Sequence, residues 1–217
     1  ICLTEDKFSN PMQPPNFCML MRKHIQGGRI TAIRQQDSER IIEIDIEAQT
    51  ELGFTTSKRL IVEIMGKHSN IILVDIESGK IIDAIKRISI DVNRYRQLLP
   101  GVIYMYPPKQ DKTPFKSASE KDFVNSEGVI LSEKLIMSRI SGISPAIARE
   151  LLSSKNPAAR LAEIAESAET GSFTPTIYFD EDDTPREFHI TDLSEYCGLR
   201  QKTFDSLSSC IEFYYQH

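Results

Sequence analysis

Arg94 and Arg96 bracket Tyr95 in the run Asp91-Val92-Asn93-Arg94-Tyr95-Arg96, just ahead of Leu98-Leu99-Pro100-Gly101. Guanidinium groups on either side of an aromatic ring suit nucleic acid, with the cations on phosphate and the ring on a base. The same run also suits a solvated loop anchored by a core tyrosine. A second segment, Ile140-Ser141-Gly142-Ile143-Ser144-Pro145-Ala146-Ile147-Ala148, has the pattern of a helix-hairpin-helix. In such an element the turn and the start of the second helix aim backbone N–H groups at a phosphate, which makes Gly142 and Ser144 candidate contacts. Many copies carry glycine at both turn positions; here the second is Ser144, and a plain helix-turn-helix fits the same residues. Arg22, Lys23, Lys67 and His68 complete the set of groups able to hold phosphate.

No nucleophile, base or metal cluster stands out along the sequence. His24, His68, His189 and His217 fall in four different contexts. No HExxH pattern or serine elbow is present. The acidic run Asp180-Glu181-Asp182-Asp183 lacks the alternating ligands and closing glutamate of a calcium loop. Gly66-Lys67-His68-Ser69-Asn70 is too short for a phosphate loop and precedes a strand pattern, so it reads as a hairpin turn in which Gly and Asn serve backbone geometry. The expectation is a binding module without metal or cofactor, not an enzyme.

Charge is uneven along the chain. Over residues 1–116, 17 Lys and Arg face 14 Asp and Glu, whereas over residues 117–217 the balance is 9 against 17. An anionic partner therefore belongs on the first half. Cys2, Cys18, Cys197 and Cys210 are widely spaced, without the close pairs of a zinc site, and read as ordinary buried thiols. With 40% hydrophobic residues the chain can bury a core, and no apolar run nears the roughly 18 residues that span a bilayer. Ile1-Cys2-Leu3-Thr4 alternates like a strand already under way and does not resemble a signal peptide, so a segment ahead of Ile1 is expected.

The elements that must position these groups follow from periodicity. A helix is expected over Pro15–Gln26, with Phe17, Leu20, Met21 and Ile25 on one face, Arg22 and Lys23 at its rim and Gly27-Gly28 as its stop. Five strands follow as an antiparallel meander: Arg29–Gln35, Arg40–Glu47, Lys58–Met65, Asn70–Asp75 and Lys80–Ile88. Residues 107–118 read as an exposed linker. Helical patterning resumes from Lys121 to Ala168; a small hairpin joins Thr176–Phe179 to Glu187–Ile190, and a last amphipathic helix covers Thr203–Tyr215. The expected class is α+β: an antiparallel β-rich domain with one packed helix over residues 1–116, then a mainly helical helix-hairpin-helix-like domain over 117–217.

Three blocks, Pro14-Pro15-Asn16-Phe17-Cys18-Met19-Leu20-Met21-Arg22-Lys23-His24-Ile25, Met65-Gly66-Lys67-His68-Ser69-Asn70-Ile71-Ile72-Leu73 and Leu98-Leu99-Pro100-Gly101, occur in this order. Together they resemble the N-terminal region of the NFACT family of RqcH and NEMF, also called fibronectin-binding protein A. The resemblance implies a first domain similar to the N-terminal domain of formamidopyrimidine-DNA glycosylases, followed by a helix-hairpin-helix domain. It implies a scaffold and not the glycosylase reaction, which depends on a free N-terminal proline that this chain does not show.

Functionally the resemblance implies binding to an obstructed large ribosomal subunit that still holds peptidyl-tRNA. It further implies recruitment of tRNA, alanine tRNA in bacteria, for a template-independent C-terminal tail, in the cytoplasm and away from membranes. An Asp-Arg motif implicated in tRNA binding falls on Glu39-Arg40, with Arg94 and Arg96 as further candidates. Arg40 would hold a phosphate or base edge while the carboxylate orients it, and the extra methylene of Glu39 shifts that fork by about an ångström. A cross-strand surface ion pair is the plain alternative for Glu39 and Arg40. Two competing functions stay open: a surface adhesin for fibronectin or another matrix protein, and a nucleic-acid-processing enzyme on the glycosylase scaffold.

Overall fold

Isoleucines alternate with acidic residues in Ile42-Glu43-Ile44-Asp45-Ile46-Glu47, and β-branched side chains on a two-residue period favour a pleated strand with two different faces. In the computed structural model, which describes residues 2–4, 6–36, 39–50, 52–109 and 111–217, this run is the second strand of a five-stranded antiparallel meander. The strands are β1 (Arg29–Gln35), β2 (Ile41–Gln49), β3 (Thr55–Glu63), β4 (Asn70–Asp75) and β5 (Ile81–Ala84), adjacent in chain order. Helix α1 (Asn16–Ile25) packs on β2 and β5 through the half-buried Phe17, Leu20, Met21 and Ile25. Its exit is tight. A Cβ on Gly28 would lie 2.8 Å from both the Glu47 carbonyl oxygen and Ile46 Cγ2, so only glycine lets the chain turn back onto β2.

The chain divides into two compact units, Ser9–Lys109 and Ile1–Phe8 with Gln110–His217. One core of the first unit lies on a single face of the meander, where Ile41, Ile61, Ile72, Val74, Ile81, Ala84 and Leu98 are buried. The second unit holds α2 (Glu133–Arg139), α3 (Pro145–Ser153), α4 (Pro157–Thr170) and α5 (Leu207–Gln216). Its strands are β6 (Thr113–Pro114), β7 (Ile140–Ser141), β8 (Thr176–Phe179), β9 (Pro185–His189) and β10 (Gln201–Thr203). Phe123, Ile136, Ile147, Leu151, Leu161 and Tyr178 are among its buried core residues. The class is α+β, with a five-stranded antiparallel sheet and five helices among the described residues.

Several expected boundaries move for identifiable reasons. Strand β5 ends at Ala84 and not at Ile88, because the Asn70 side chain takes over the Lys86 backbone: Lys86 N–H donates to Asn70 Oδ1 at 2.9 Å, and Asn70 Nδ2 donates to the Lys86 carbonyl at 2.8 Å. Asn70 is thus a clamp between strands, whereas Gly66, at φ +56°, supplies the backbone geometry of the turn. The expected last helix starts late: Thr203 belongs to β10, where it pairs with Thr176, and the helix begins at Leu207 with Ser206 as its cap. Part of the expected linker is ordered in the second unit, since Thr113-Pro114 pairs in parallel with Ile140-Ser141 and Phe115 packs on the core. Cys2–Thr4 form no strand; Ile1 lies outside the described residues. All four cysteines are free thiols, but Cys210 alone is buried and Cys197 is exposed, which corrects the expectation of four buried thiols.

Candidate nucleic-acid interface

Antiparallel register decides which side chains meet at each end of the large sheet. Ile41 opens β2 opposite Glu63, Glu63 is opposite Asn70, and Ile64 N–H donates to the Arg40 carbonyl at 2.8 Å. Arg40 therefore sits beside the end of β3 and the 3-10 turn Gly66–His68 that follows it. Lys86 reaches the same turn, its Nζ 3.2 Å from the Lys67 carbonyl oxygen. Just beyond, Ile88 and Leu98 close a loop by exchanging backbone hydrogen bonds of 3.1 and 2.8 Å, and Arg94, Tyr95 and Arg96 lie in that loop. The register thus sets Arg40 beside the turn that carries Lys67 and His68, adds Lys86, which was not singled out from sequence, and leaves Arg94 in the adjoining loop. All five are exposed, with Glu39 and Asp91 as exposed carboxylates beside them.

The bracketed tyrosine is inverted relative to the core-tyrosine alternative. Tyr95 is 79% exposed and Arg96 is 9% exposed. Arg96 donates through Nη1 and Nη2 to the two oxygens of the buried Glu63, both at 2.6 Å, and through Nη1 to the Met105 carbonyl at 3.1 Å. Tyr104 adds its hydroxyl to Glu63 Oε1 at 2.8 Å. Burial disfavours the Arg96 charge, yet the bonds to Glu63 outweigh it and hold the guanidinium above its ordinary pKa. Burial and the Glu63 carboxylate together push the Tyr104 phenol up, so it remains a donor. Arg96 is fully engaged inside the protein and holds the loop, leaving Arg94 and Tyr95 at the surface.

A second ionic set on the same sheet face had no sequence candidate. Arg59 donates to Asp45 at 2.7 and 3.1 Å and lies 3.4 Å from the buried Glu43; Arg34 also bonds Asp45, and Tyr106 bonds Glu43. The Arg59 bonds lead in holding the Asp45 carboxyl below its usual range. Carboxylates at every second position of β2, Glu43 and Asp45, with Arg34 and Arg59 opposite them on the two flanking strands, are the signal for such a lattice. These arginines are neutralised, whereas Arg40, Lys67, Lys86 and Arg94 form no ion pair among the described residues. Glu39 and Arg40 do not pair with each other; the Glu39 backbone is held by Gln35 and Gln36 at 2.9 Å each, and Ser38 lies outside the described residues.

The other candidates lie elsewhere. Arg22 and Lys23 are exposed in the last turn of α1. That helix exits against Ile46 and Glu47, towards the opposite end of β2. In the second unit Gly142 makes the turn between β7 and α3 at φ +83°, and a Cβ there would meet the Phe115 ring at 2.7 Å. Ser144 caps α3, its Oγ accepting from Ile147 N–H at 3.3 Å, with Pro145 in the first turn. This turn and N-terminus are exposed. Among the described residues no group of three His, Cys, Asp or Glu side chains is placed to hold a metal ion, and no helix is long and apolar enough to cross a membrane.

An antiparallel meander with a packed helix, carrying at one end exposed cations that form no ion pair among the described residues, and followed by a helical unit, defines a two-unit α+β protein. The chain belongs to the NFACT family, matching its N-terminal and middle domains over residues 1–217. It is 39% identical to the Rqc2 homolog RqcH of Bacillus subtilis (strain 168), over 98% of this chain and 38% of that protein. The chain thus spans well under half the length of that relative. Its fold is similar to that of the N-terminal part of the fibronectin/fibrinogen-binding protein from Streptococcus suis, with a TM-score of 0.78, 34% identity and coverage of 99% of this chain and 78% of that one. The fibrinogen-binding protein from Staphylococcus aureus is similar at a TM-score of 0.77 and 29% identity, covering 95% of this chain and 77% of that one.

Proposed function

We propose that this chain is the tRNA- and large-subunit-binding module of a ribosome-associated quality-control factor, acting in the cytoplasm to support template-independent C-terminal tailing of stalled nascent chains. It binds and does not catalyse; peptide-bond formation stays with the ribosome. One observation carries the reading: Arg40, just ahead of β2, and Lys67, Lys86 and Arg94, in the turn and loop that follow β3 and β5, form no ion pair among the described residues. Exposed cations without counter-charges release condensed ions when they meet phosphate, and this drives binding to RNA of any sequence. Membership of the NFACT family and the RqcH relative support the assignment to ribosome quality control. In this reading the first unit is the glycosylase-like scaffold and the Gly142–Ser144 turn is the helix-hairpin-helix contact to a further phosphate, with alanine tRNA as the first candidate ligand.

The names of the two structural neighbours favour a second reading, an adhesin for fibronectin or fibrinogen. Fractionation of the source cells and cosedimentation of the full-length protein separate the two. Recovery with stalled large subunits is the expected result; recovery at the cell surface, with none on ribosomes, supports the adhesin.

A further inference from the structure

We propose that Tyr95 is a stacking platform for an unpaired nucleotide, with Arg94 on that nucleotide's phosphate and Arg96 as the positioning residue that holds both in place. The proposal rests on the RNA-binding reading and names the feature of the RNA that this end of the sheet selects. An aromatic side chain 79% exposed gains nothing from burial, yet its backbone is fixed from both sides. On one side Val92 and Asn93 N–H both donate to the Ser89 carbonyl, at 3.1 and 3.0 Å, and Tyr95 N–H donates to Asn93 Oδ1 at 2.9 Å. On the other, Arg96 is forked onto the buried Glu63, and Leu98 is fully buried. Ordering has been completed before any ligand arrives, so a base that stacks there loses little to loop immobilisation.

The partner's chemistry follows from the two side chains presented. A flat ring takes a base by its face, and in a duplex that face is already covered by neighbouring bases; only a splayed nucleotide of a loop, bulge or end offers it. Arg94 stands one residue away, about 3.8 Å along the backbone, and has no carboxylate partner among the described residues. Its charge attracts the phosphate of the stacked nucleotide.

The chain contains no tryptophan, so Tyr95→Trp places a single indole probe at the platform. The variant is titrated with an RNA hairpin bearing an unpaired loop and with a blunt duplex of the same stem, while anisotropy of the labelled RNA reports complex formation. The expected result is indole quenching by the looped RNA and none by the duplex. Tyr95→Phe should bind the looped RNA as wild type does, and Tyr95→Ala roughly 5- to 150-fold more weakly, with duplex affinity unchanged. A complex with looped RNA that leaves the indole unquenched, and an alanine variant of unchanged affinity, overturn the platform and leave general RNA binding standing. Absence of any complex with the wild-type protein removes the RNA-binding reading, and the platform with it.

Discussion

Arg96 and Glu63 meet as a two-pronged pair inside the first unit, both bonds at 2.6 Å, across 33 residues of chain. Glu63 is 1% exposed and Arg96 9% exposed, so each is the other's main compensation for lost solvent. Glu63→Ala should therefore destabilise the first unit by about 3–5 kcal/mol, the range for stranding one member of a buried pair. Thermal or urea unfolding measures it; a change below about 0.5 kcal/mol would mean that Arg96 finds solvent instead.

Arg40→Ala should behave in the opposite way. The side chain is exposed and unpaired among the described residues, so stability should stay within about 0.5 kcal/mol. RNA affinity should fall, and the slope of log K against log salt should become shallower by about one unit as one phosphate contact is lost. Loss of stability together with affinity would assign Arg40 a structural role.

Two glycines with left-handed backbones in the second unit make a matched pair. Gly171→Ala meets nothing within 4 Å and carries strain alone, about 1–2 kcal/mol. Gly142→Ala carries the same strain and also drives its Cβ to 2.7 Å from the Phe115 ring, so its loss should be larger, about 2–4 kcal/mol in total. Equal losses in denaturant titration would show that the Phe115 ring moves aside freely.

His189 gives the second unit a pH dependence of known sign. Burial lowers its pKa, with Glu150 opposing, and its Nδ1 accepts from Thr191 N–H at 3.2 Å, a role only the neutral ring can fill. The unfolded chain takes up the proton first, near the ordinary histidine value of about 6.5. The stabilisation is complete above that value and declines as pH falls below it, until the folded ring is protonated as well. NMR titration of the ring should give a midpoint below the ordinary value in the folded protein; one at or above it would contradict the burial.

Much of the first unit was legible because its signals are local. The two-residue period of Ile42, Ile44 and Ile46 and the Gly27-Gly28 stop lie within a few residues of the elements they define. The divided roles of Arg94 and Arg96 were not legible. Both flank the same tyrosine, and what separates them is Glu63, brought close only by the register of β3 against β4 and the return of the chain at Leu98. Lys86 was missed for a related reason: its sequence neighbourhood reads as strand, and the Asn70 clamp that turns it to the surface lies 16 residues away. The Glu43, Asp45 and Arg59 lattice needed side chains paired across strands, which composition does not reveal.

Binding of tRNA across a salt series, wild type against Arg40→Ala combined with Arg94→Ala, tests the basic end of the sheet most directly. With Arg40, Lys67, Lys86 and Arg94 each on a phosphate, log K should fall linearly with log salt at a slope of about −3, and the double variant should bind more weakly at a slope nearer −1.5. Affinity that ignores salt, or that survives both substitutions, would contradict an RNA interface at this end of the sheet.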